Sequence, residues 1–214
     1  MKILAHRGHW LERQEMNSFR AFERAWSGGY GIETDLRDLN GAIVISHDPP
    51  EAGVRSLEEF LAAYAARGGG TPLALNIKAD GLQGTIAKAL QKTRVRNFFV
   101  FDMSVPDSLH YIRAGLPVFV RLSEYEPETS LLERAVGVWL DAFEGDWWTL
   151  DTLRSLYARG KVIAIVSPEL HKRPHDALWR RLKDLEREIR DGLMLCTDYP
   201  DAAAEAFADS AQAA

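Results

Sequence analysis

Cysteine is nearly absent from this 214-residue chain, and the single Cys196 excludes an intramolecular disulfide. The sequence also lacks any run of about 18 apolar residues, so no segment is typical of a membrane-spanning helix. It has no Lys/Arg block and a net charge of −5, which argues against a nucleic-acid-binding surface. The first residues contain no long apolar stretch, so we expect no secretory signal and a cytoplasmic protein.

What is present is ordinary for a folded protein, with 46% apolar and 27% charged residues. The length suits one domain, and no linker or fixed-period repeat is visible, so we predict a single domain over residues 1–214. The composition argues against disorder everywhere except in the Ala-rich tail after Phe207. Nothing in the sequence indicates an oligomeric state.

Short apolar runs bounded by Gly or Pro alternate with longer runs of helical spacing, which is typical of βα units. Eight strands and eight helices fit a closed TIM-type (β/α)8 barrel. The predicted strands are Ile3–Ala5, Gly31–Asp35, Leu73–Ile77, Phe98–Asp102, Val118–Arg121, Val138–Asp141, Val162–Val166 and Leu193–Cys196. The predicted helices are Ser18–Trp26, Leu57–Ala66, Leu82–Lys92, Asp107–Ala114, Leu131–Ala135, Leu150–Ala158, Ala177–Ile189 and Ala202–Phe207.

A small β-hairpin arm is predicted after the second strand. Asn40-Gly41 is a favoured hairpin turn, and Ala42–Ser46 would form the returning strand, ending at His47. Polar residues also follow most of the predicted strands at their carboxyl ends. That end of a barrel is the face where active sites are built, so we expect these side chains to converge there.

Two predicted strands each carry a pair of polar residues. The two members of each pair are two positions apart, so their side chains lie on the same side of the strand. Glu33 and Asp35 would repel each other unless a cation lies between them, and their oxygens suit Mg²⁺ or Ca²⁺. On the next strand, Asn76 offers an amide oxygen to a metal and Lys78 offers a positive charge to a phosphate. Each pair taken alone also fits a solvated strand end.

Two histidine motifs complete the candidate site. In His6-Arg7-Gly8, Arg7 presents a planar fork that matches phosphate oxygens, and His6 can exchange a proton near neutral pH. His47, after the hairpin arm, would supply the second half of acid–base catalysis. Each motif alone also fits an ordinary turn or loop.

One set of motifs recurs in a known family. It comprises His6-Arg7-Gly8, Asn17-Ser18, Gly31-Ile32-Glu33-Thr34-Asp35, Asn40-Gly41, Val44-Ile45-Ser46-His47-Asp48, Leu75-Asn76-Ile77-Lys78 and Thr197-Asp198-Tyr199-Pro200-Asp201. With these motifs the chain resembles a divergent member of the glycerophosphodiester phosphodiesterases, within the phosphatidylinositol-phospholipase-C-like superfamily. The likeness is dense over residues 3–50 and mostly architectural over residues 100–190.

The resemblance implies a TIM-type barrel, a divalent metal and a small phosphodiester substrate. The implied roles are acid–base catalysis by His6 and His47, metal binding by Glu33 and Asp35, and phosphate contact by Arg7 and Lys78. In this family an internal hydroxyl often attacks phosphorus, with a cyclic phosphate as the intermediate.

The sequence departs from the family at the metal site and the mouth. Asn76 replaces a third metal-binding Glu, so we expect weaker metal binding, and Asp102 on the neighbouring strand could restore a carboxylate. The tryptophan expected on strand seven is missing, and Trp139 is the candidate substrate contact instead. These changes leave open a sugar-phosphate diester, a surface-polymer fragment or a lysophospholipid headgroup as substrate.

Three hypotheses follow from these observations. The first is a metal-dependent phosphodiester hydrolase. The second is a lyase or phospholipase-D-like transferase, which would use the same residues and release a cyclic phosphate. The third is a non-catalytic barrel that binds phosphodiesters, and the Asn76 substitution is its motivation.

Overall fold

A computed structural model describes residues 1–51, 53–126, 128 and 130–208 of the chain. Eight parallel strands surround a common axis and confirm the predicted barrel. They are β1 (Lys2–His6), β2 (Gly31–Leu39), β4 (Leu73–Ile77), β5 (Phe98–Phe101), β6 (Phe119–Leu122), β7 (Gly137–Leu140), β8 (Val162–Val166) and β9 (Met194–Thr197). Their order is β5-β4-β2-β1-β9-β8-β7-β6, and one parallel bridge between Val100 and Val118 joins β5 to β6.

Strand β2 is longer than predicted, because it continues past Asp35 to Leu39. The extension pairs antiparallel with β3 (Ala42–Ile45), and Leu39 lies opposite Ala42. Asn40 and Gly41 between them have φ of 51° and 82°, as a two-residue hairpin turn requires. The hairpin brings Ser46 and His47 back toward the carboxyl end of the barrel, where the Ser46 N–H bonds to the Asp35 carbonyl at 3.0 Å.

Helices follow the strands around the outside of the barrel. They are α1 (Phe19–Ser27), α2 (Leu57–Arg67), α3 (Gln83–Thr93), α4 (Val105–Arg113), α5 (Leu131–Arg134), α6 (Leu150–Ala158), α7 (Asp176–Lys183), α8 (Arg187–Gly192) and α9 (Pro200–Phe207). Within the described part of the chain, none of them is both long and apolar enough to cross a bilayer.

The prediction of one continuous helix over Ala177–Ile189 is wrong. The chain forms α7 and α8 instead, separated at residues 184–186. Leu185 in this break is 4% exposed and belongs to the hydrophobic core. Because this buried leucine continues the apolar spacing across the turn, the sequence pattern predicts one helix where the structure has two.

The core has two layers. The larger layer lies between the strands and the surrounding helices, with Phe22, Phe60 and Leu61 among its fully buried members. The smaller layer fills the inside of the barrel. It contains Leu4 and Ala74 together with stacked aromatic rings of β5, β6 and β7. Polar side chains at the carboxyl ends of the strands lie above this inner layer and form the candidate site.

Candidate active site

Strand β2 places two carboxylates in the mouth of the barrel. Glu33 is 2% exposed and Asp35 is fully buried, and their side chains share one side of the strand. Burial, and then the negative charge of Asp35, raise the pKa of Glu33. The site therefore concentrates negative charge where water is excluded, which favours a bound cation or proton.

Two cationic side chains flank Asp35. The Arg7 Nε atom is 3.1 Å from Asp35 Oδ2, and the Lys78 Nζ atom is 3.5 Å from Asp35 Oδ1. Arg7 also donates its backbone N–H to Glu33 Oε2 at 3.2 Å. Both cationic side chains remain about one fifth exposed (21%), so each can face a ligand in the mouth.

The turn after β1 depends on a glycine. Arg7 and Gly8 both have positive φ, at 56° and 85°. A Cβ atom on Gly8 would come within 2.9 Å of the backbone and the Cβ of Ala21 in α1. Gly8 therefore lets this turn pack directly against α1, which fixes Arg7 beside the carboxylates.

His6 is oriented by a carboxylate from the opposite end of the sequence. Its Nδ1 atom lies 2.7 Å from Asp198 Oδ1, and its Nε2 atom lies 3.9 Å from Glu33 Oε2. Burial lowers the pKa of His6, but the hydrogen bond to Asp198 and the charge of Glu33 outweigh it and leave the pKa raised. Asp198 is itself held through its backbone N–H, which donates to Glu169 Oε1 at 3.2 Å.

Asn17 belongs to the site, although sequence analysis alone assigns it no role there. It has φ of 59°, and its Nδ2 donates to Asp35 Oδ2 at 2.9 Å. Its Oδ1 accepts a hydrogen bond from Thr34 at 2.8 Å. Asn17 and Asp198 both lie within motifs that support the family resemblance, but their roles need the contacts to Asp35 and His6, which sequence spacing does not reveal.

The oxygen atoms at the centre of the site fit a hard divalent cation. Asp35 and Asn76 are register partners on β2 and β4, and their Oδ1 atoms are buried without a hydrogen-bond partner. The Asn76 Nδ2 atom donates a hydrogen bond to Glu33 Oε1 at 3.2 Å, so the Glu33 carboxylate lies next to the Asn76 side chain. Carboxylate and amide oxygens are ligands of Mg²⁺ and Ca²⁺. Among the described residues, no group of three or more His, Cys, Asp or Glu side chains is placed to hold a metal.

Asp102, predicted as a further metal ligand, has other partners. Its carboxylate pairs with Arg121 and lies 3.7 Å from Lys78 Nζ. The residue has φ of 70°, at the point where β5 ends and the chain turns toward α4. Asp102 therefore joins the site through these two cations, and its role as a metal ligand stays a prediction.

His47 lies on the other side of Arg7, at the end of the hairpin. Its side chain is 41% exposed and its Nδ1 is 2.9 Å from Asp48 Oδ1. The Arg37 Nε donates to the His47 carbonyl at 2.8 Å, which fixes the backbone here. His47 and Arg7 line one cavity of about 440 Å³ that opens to solvent. The structure thus brings His47 to the same face as the carboxylates.

Trp139 does not reach the mouth. It is 4% exposed and belongs to the inner layer, where its ring stacks on Phe101 with a centroid distance of 4.0 Å. The expected substrate contact is therefore corrected to a packing role. Sequence could not separate the two, because a tryptophan two residues before a strand-end carboxylate fits either.

The fold is similar to that of several solved phosphodiesterases. A glycerophosphodiester phosphodiesterase from Parabacteroides distasonis is 19% identical with a TM-score of 0.66, and the match covers 95% of each chain. One from Agrobacterium tumefaciens is 15% identical with a TM-score of 0.70, covering 96% of this chain and 99% of that one. The chain shares their fold. The resemblance drawn from the motifs is confirmed at this level.

A solved phospholipase has a similar fold. A Ca²⁺-dependent phosphatidylinositol-specific phospholipase C from Streptomyces antibioticus is 11% identical with a TM-score of 0.53, covering 96% of this chain and 95% of that one. No protein-family model matches the sequence, and no curated protein matches it. The likeness is thus carried by structure and by the short motifs of the site.

Proposed function

We propose that this protein is a metal-dependent phosphodiester hydrolase that acts on a glycerophosphodiester-like or another small phosphodiester. The observation that carries the proposal is one connected network at the carboxyl end of the barrel. In it, buried carboxylates, two partly exposed cations and an oriented histidine meet around two buried oxygens that lack hydrogen bonds. The fold shared with solved glycerophosphodiester phosphodiesterases supports the same reaction class.

Arg7 and Lys78 would bind the phosphate. Both already contact Asp35, which holds them at the mouth, and both keep part of their surface open. The Arg7 guanidinium can match two phosphate oxygens, while Lys78 supplies a compact charge. Because both charges are fixed before the substrate arrives, they stabilise the negative charge that grows on phosphorus in the transition state.

Glu33, Asp35 and Asn76 would hold the divalent cation. A Mg²⁺ or Ca²⁺ ion bound there would polarise a phosphate oxygen and lower the pKa of a nearby hydroxyl. Asn17 would keep Asp35 in place, since its amide donates to Asp35 Oδ2 at 2.9 Å. Asn76 would keep Glu33 in place in the same way through its bond to Glu33 Oε1.

His6 and His47 would share the proton transfers. The hydrogen bond between His6 Nδ1 and Asp198 Oδ1 orients the imidazole and would leave Nε2 to exchange a proton. One imidazole removes the proton of the attacking hydroxyl or water as its oxygen bonds to phosphorus. The other protonates the alcohol oxygen as its bond to phosphorus breaks. His6 would act from its position beside Asp198, and His47 would act from the cavity that it lines together with Arg7.

The test is a screen of phosphodiesters with Mg²⁺ or Ca²⁺ on the wild type, His6→Ala, His47→Ala and the matched control His110→Ala. His110 lies exposed on α4 and away from the site. We expect each site variant to lower kcat by about 10²–10⁴-fold, as loss of general acid–base catalysis does. The control should keep wild-type turnover, and circular dichroism should confirm that all three variants are folded.

Three outcomes separate the alternatives. Retained turnover in His6→Ala or His47→Ala contradicts the acid–base pair. A cyclic phosphodiester that persists in phosphorus NMR favours the lyase or transferase. Binding of phosphodiesters without turnover, across metals and substrates, favours the non-catalytic barrel.

A further inference from the structure

The barrel is weakly closed between β5 and β6. The other neighbouring barrel strands share three to five registered residue pairs, whereas β5 and β6 share the one bridge between Val100 and Val118. Beyond this bridge, Asp102 and Arg121 at the strand ends are joined by their side chains instead of by backbone hydrogen bonds. We call this weakly paired junction between β5 and β6 the seam. It opens toward the face that carries the candidate site.

A cavity of about 370 Å³ occupies this open seam. That volume is within the range of small-ligand sites, roughly 300–1,000 Å³. Its apolar walls come from both strand ends and from the helices that follow them. The apolar lining residues are Met103, Val105, Phe119, Val120 and Leu131.

The serine hydroxyls of the cavity already have partners. Ser104 donates to Asp80 at 2.9 Å and accepts from the Asp107 N–H at 3.3 Å. Ser108 donates to the Ser104 carbonyl at 2.9 Å. These hydroxyls begin α4 and hold its first turn, so the walls offer apolar contact more than hydrogen bonds.

The cavity borders the ion pairs that lead to the proposed phosphate site. Asp102 and Arg121 line it, and the same Asp102 carboxylate is 3.7 Å from Lys78 Nζ. Lys78 in turn lies 3.5 Å from Asp35. A phosphate held by Lys78 would thus place one of its ester groups at the entrance of the seam.

We propose that this cavity binds an apolar group on the alcohol part of the phosphodiester. The inference rests on the proposed function, because it takes the phosphate position from Arg7 and Lys78. It narrows the substrate class to phosphodiesters in which one alcohol carries a short alkyl or aryl group. The Asp102–Arg121 ion pair and Glu126, whose Oε2 atom lies 3.5 Å from Arg121 Nε, form the polar rim, and Val105, 60% exposed, forms the apolar edge of the opening.

The test measures binding of alkylphosphonates, which are not hydrolysed, by calorimetry with Mg²⁺ present. Methyl-, propyl- and hexylphosphonate carry the same anionic group and differ only in apolar length. We expect affinity to rise by about fourfold for each methylene that enters the cavity and to level off when it is full. Equal affinities for the methyl and hexyl compounds would overturn the inference.

A variant pair localises the effect. Val105→Asp puts a charge on the apolar edge of the opening, at a helix start where Asp is tolerated, and should lower hexylphosphonate affinity about tenfold. Val136→Asp is the control, because Val136 is a comparably exposed valine (48%) that does not line the cavity. Equal loss in both variants, or in neither, would contradict the assignment of the cavity.

The two proposals fail differently. If methylphosphonate binds and phosphodiesters are cleaved while chain length changes nothing, the cavity assignment is wrong and the hydrolase stands. If hexylphosphonate binds tightly through the seam but no phosphodiester is cleaved, the cavity is a ligand site and the proposed reaction is wrong.

Discussion

The first half of the barrel, β1 to β5, and the second half, β6 to β9, use charge in different ways. In the first half, β2 and β4 bury Asp35 and Asn76, each of which keeps one oxygen without a hydrogen bond. In the second half, the strand-end carboxylate of Asp141 accepts from the Ala142 N–H at 2.9 Å and meets His171 at 2.6 Å. Below that carboxylate the inside of the barrel is filled by aromatic rings of β6 and β7 stacked on rings of β5.

The difference in hydrogen bonding distinguishes polar groups that stabilise the fold from polar groups that are available to a ligand. A buried polar atom without a partner costs about 1–3 kcal/mol, so it persists where a ligand supplies the missing contact. The contacts of Asp35 to Arg7, Lys78 and Asn17 leave its Oδ1 atom without a hydrogen bond, whereas Asp141 Oδ1 accepts from the Ala142 N–H and meets His171. The first half therefore carries most of the candidate active site, and the second half contributes mainly packing. The open seam lies where the two halves meet.

The largest expected effect is a loss of stability in the second half. Trp139→Ala removes a buried ring stacked on Phe101 and should lower the free energy of unfolding by about 3–5 kcal/mol. Denaturant unfolding measures this loss. Phosphonate affinity of the folded protein should stay close to wild type, because Trp139 is 4% exposed. Unchanged stability with weakened phosphonate binding would restore Trp139 as a substrate contact.

Next in size is the effect of metal on the first half. At a concentration about 100 times its Kd, Mg²⁺ or Ca²⁺ should stabilise the fold by about 2.7 kcal/mol, seen as a higher Tm in calorimetry. Asp35→Asn should abolish this gain. The control Asp141→Asn changes an equally buried strand-end carboxylate of the other half and should keep it. A metal response lost in the control and kept in Asp35→Asn would reverse the comparison.

Two glycines with positive φ give a smaller contrast. Gly8→Ala should cost about 2 kcal/mol, from strain at φ of 85° and from a contact of 2.9 Å with α1. Gly115→Ala has a similar φ of 73° but open space around it, so it should cost about 1 kcal/mol. Thermal unfolding of both variants compares them. Equal losses would mean that the close approach of Gly8 to α1 contributes nothing.

The sequence predicted the barrel well, because strand and helix periods follow directly from alternating apolar runs. Leu73–Ile77 and Val162–Val166 were predicted with the bounds that the structure has. Glu33 and Asp35 were placed together because two-residue spacing on one strand fixes their side. These predictions depend on local geometry, which sequence carries.

The partners between distant segments could not be predicted in the same way. Asp198 meets His6 across 192 positions, and Arg121 meets Asp102 across 19 positions through side chains alone. Trp139 shows the same limit, since its strand position was right but its direction depends on how the barrel closes. Long-range pairing is set by the whole fold, and no short motif records it.

The smallest expected effect concerns helix capping beside the site. Ser56 begins α2 with a capping box, accepting the Glu59 N–H at 3.2 Å while Glu59 accepts the Ser56 N–H at 2.9 Å. Ser56→Ala should lower the free energy of unfolding by about 1 kcal/mol. Ser130 precedes α5 in the second half without a side-chain cap, so Ser130→Ala should change stability by less than about 0.5 kcal/mol. Denaturant unfolding resolves the two values, and an equal loss in both would show that the cap on α2 adds nothing to the half that holds the site.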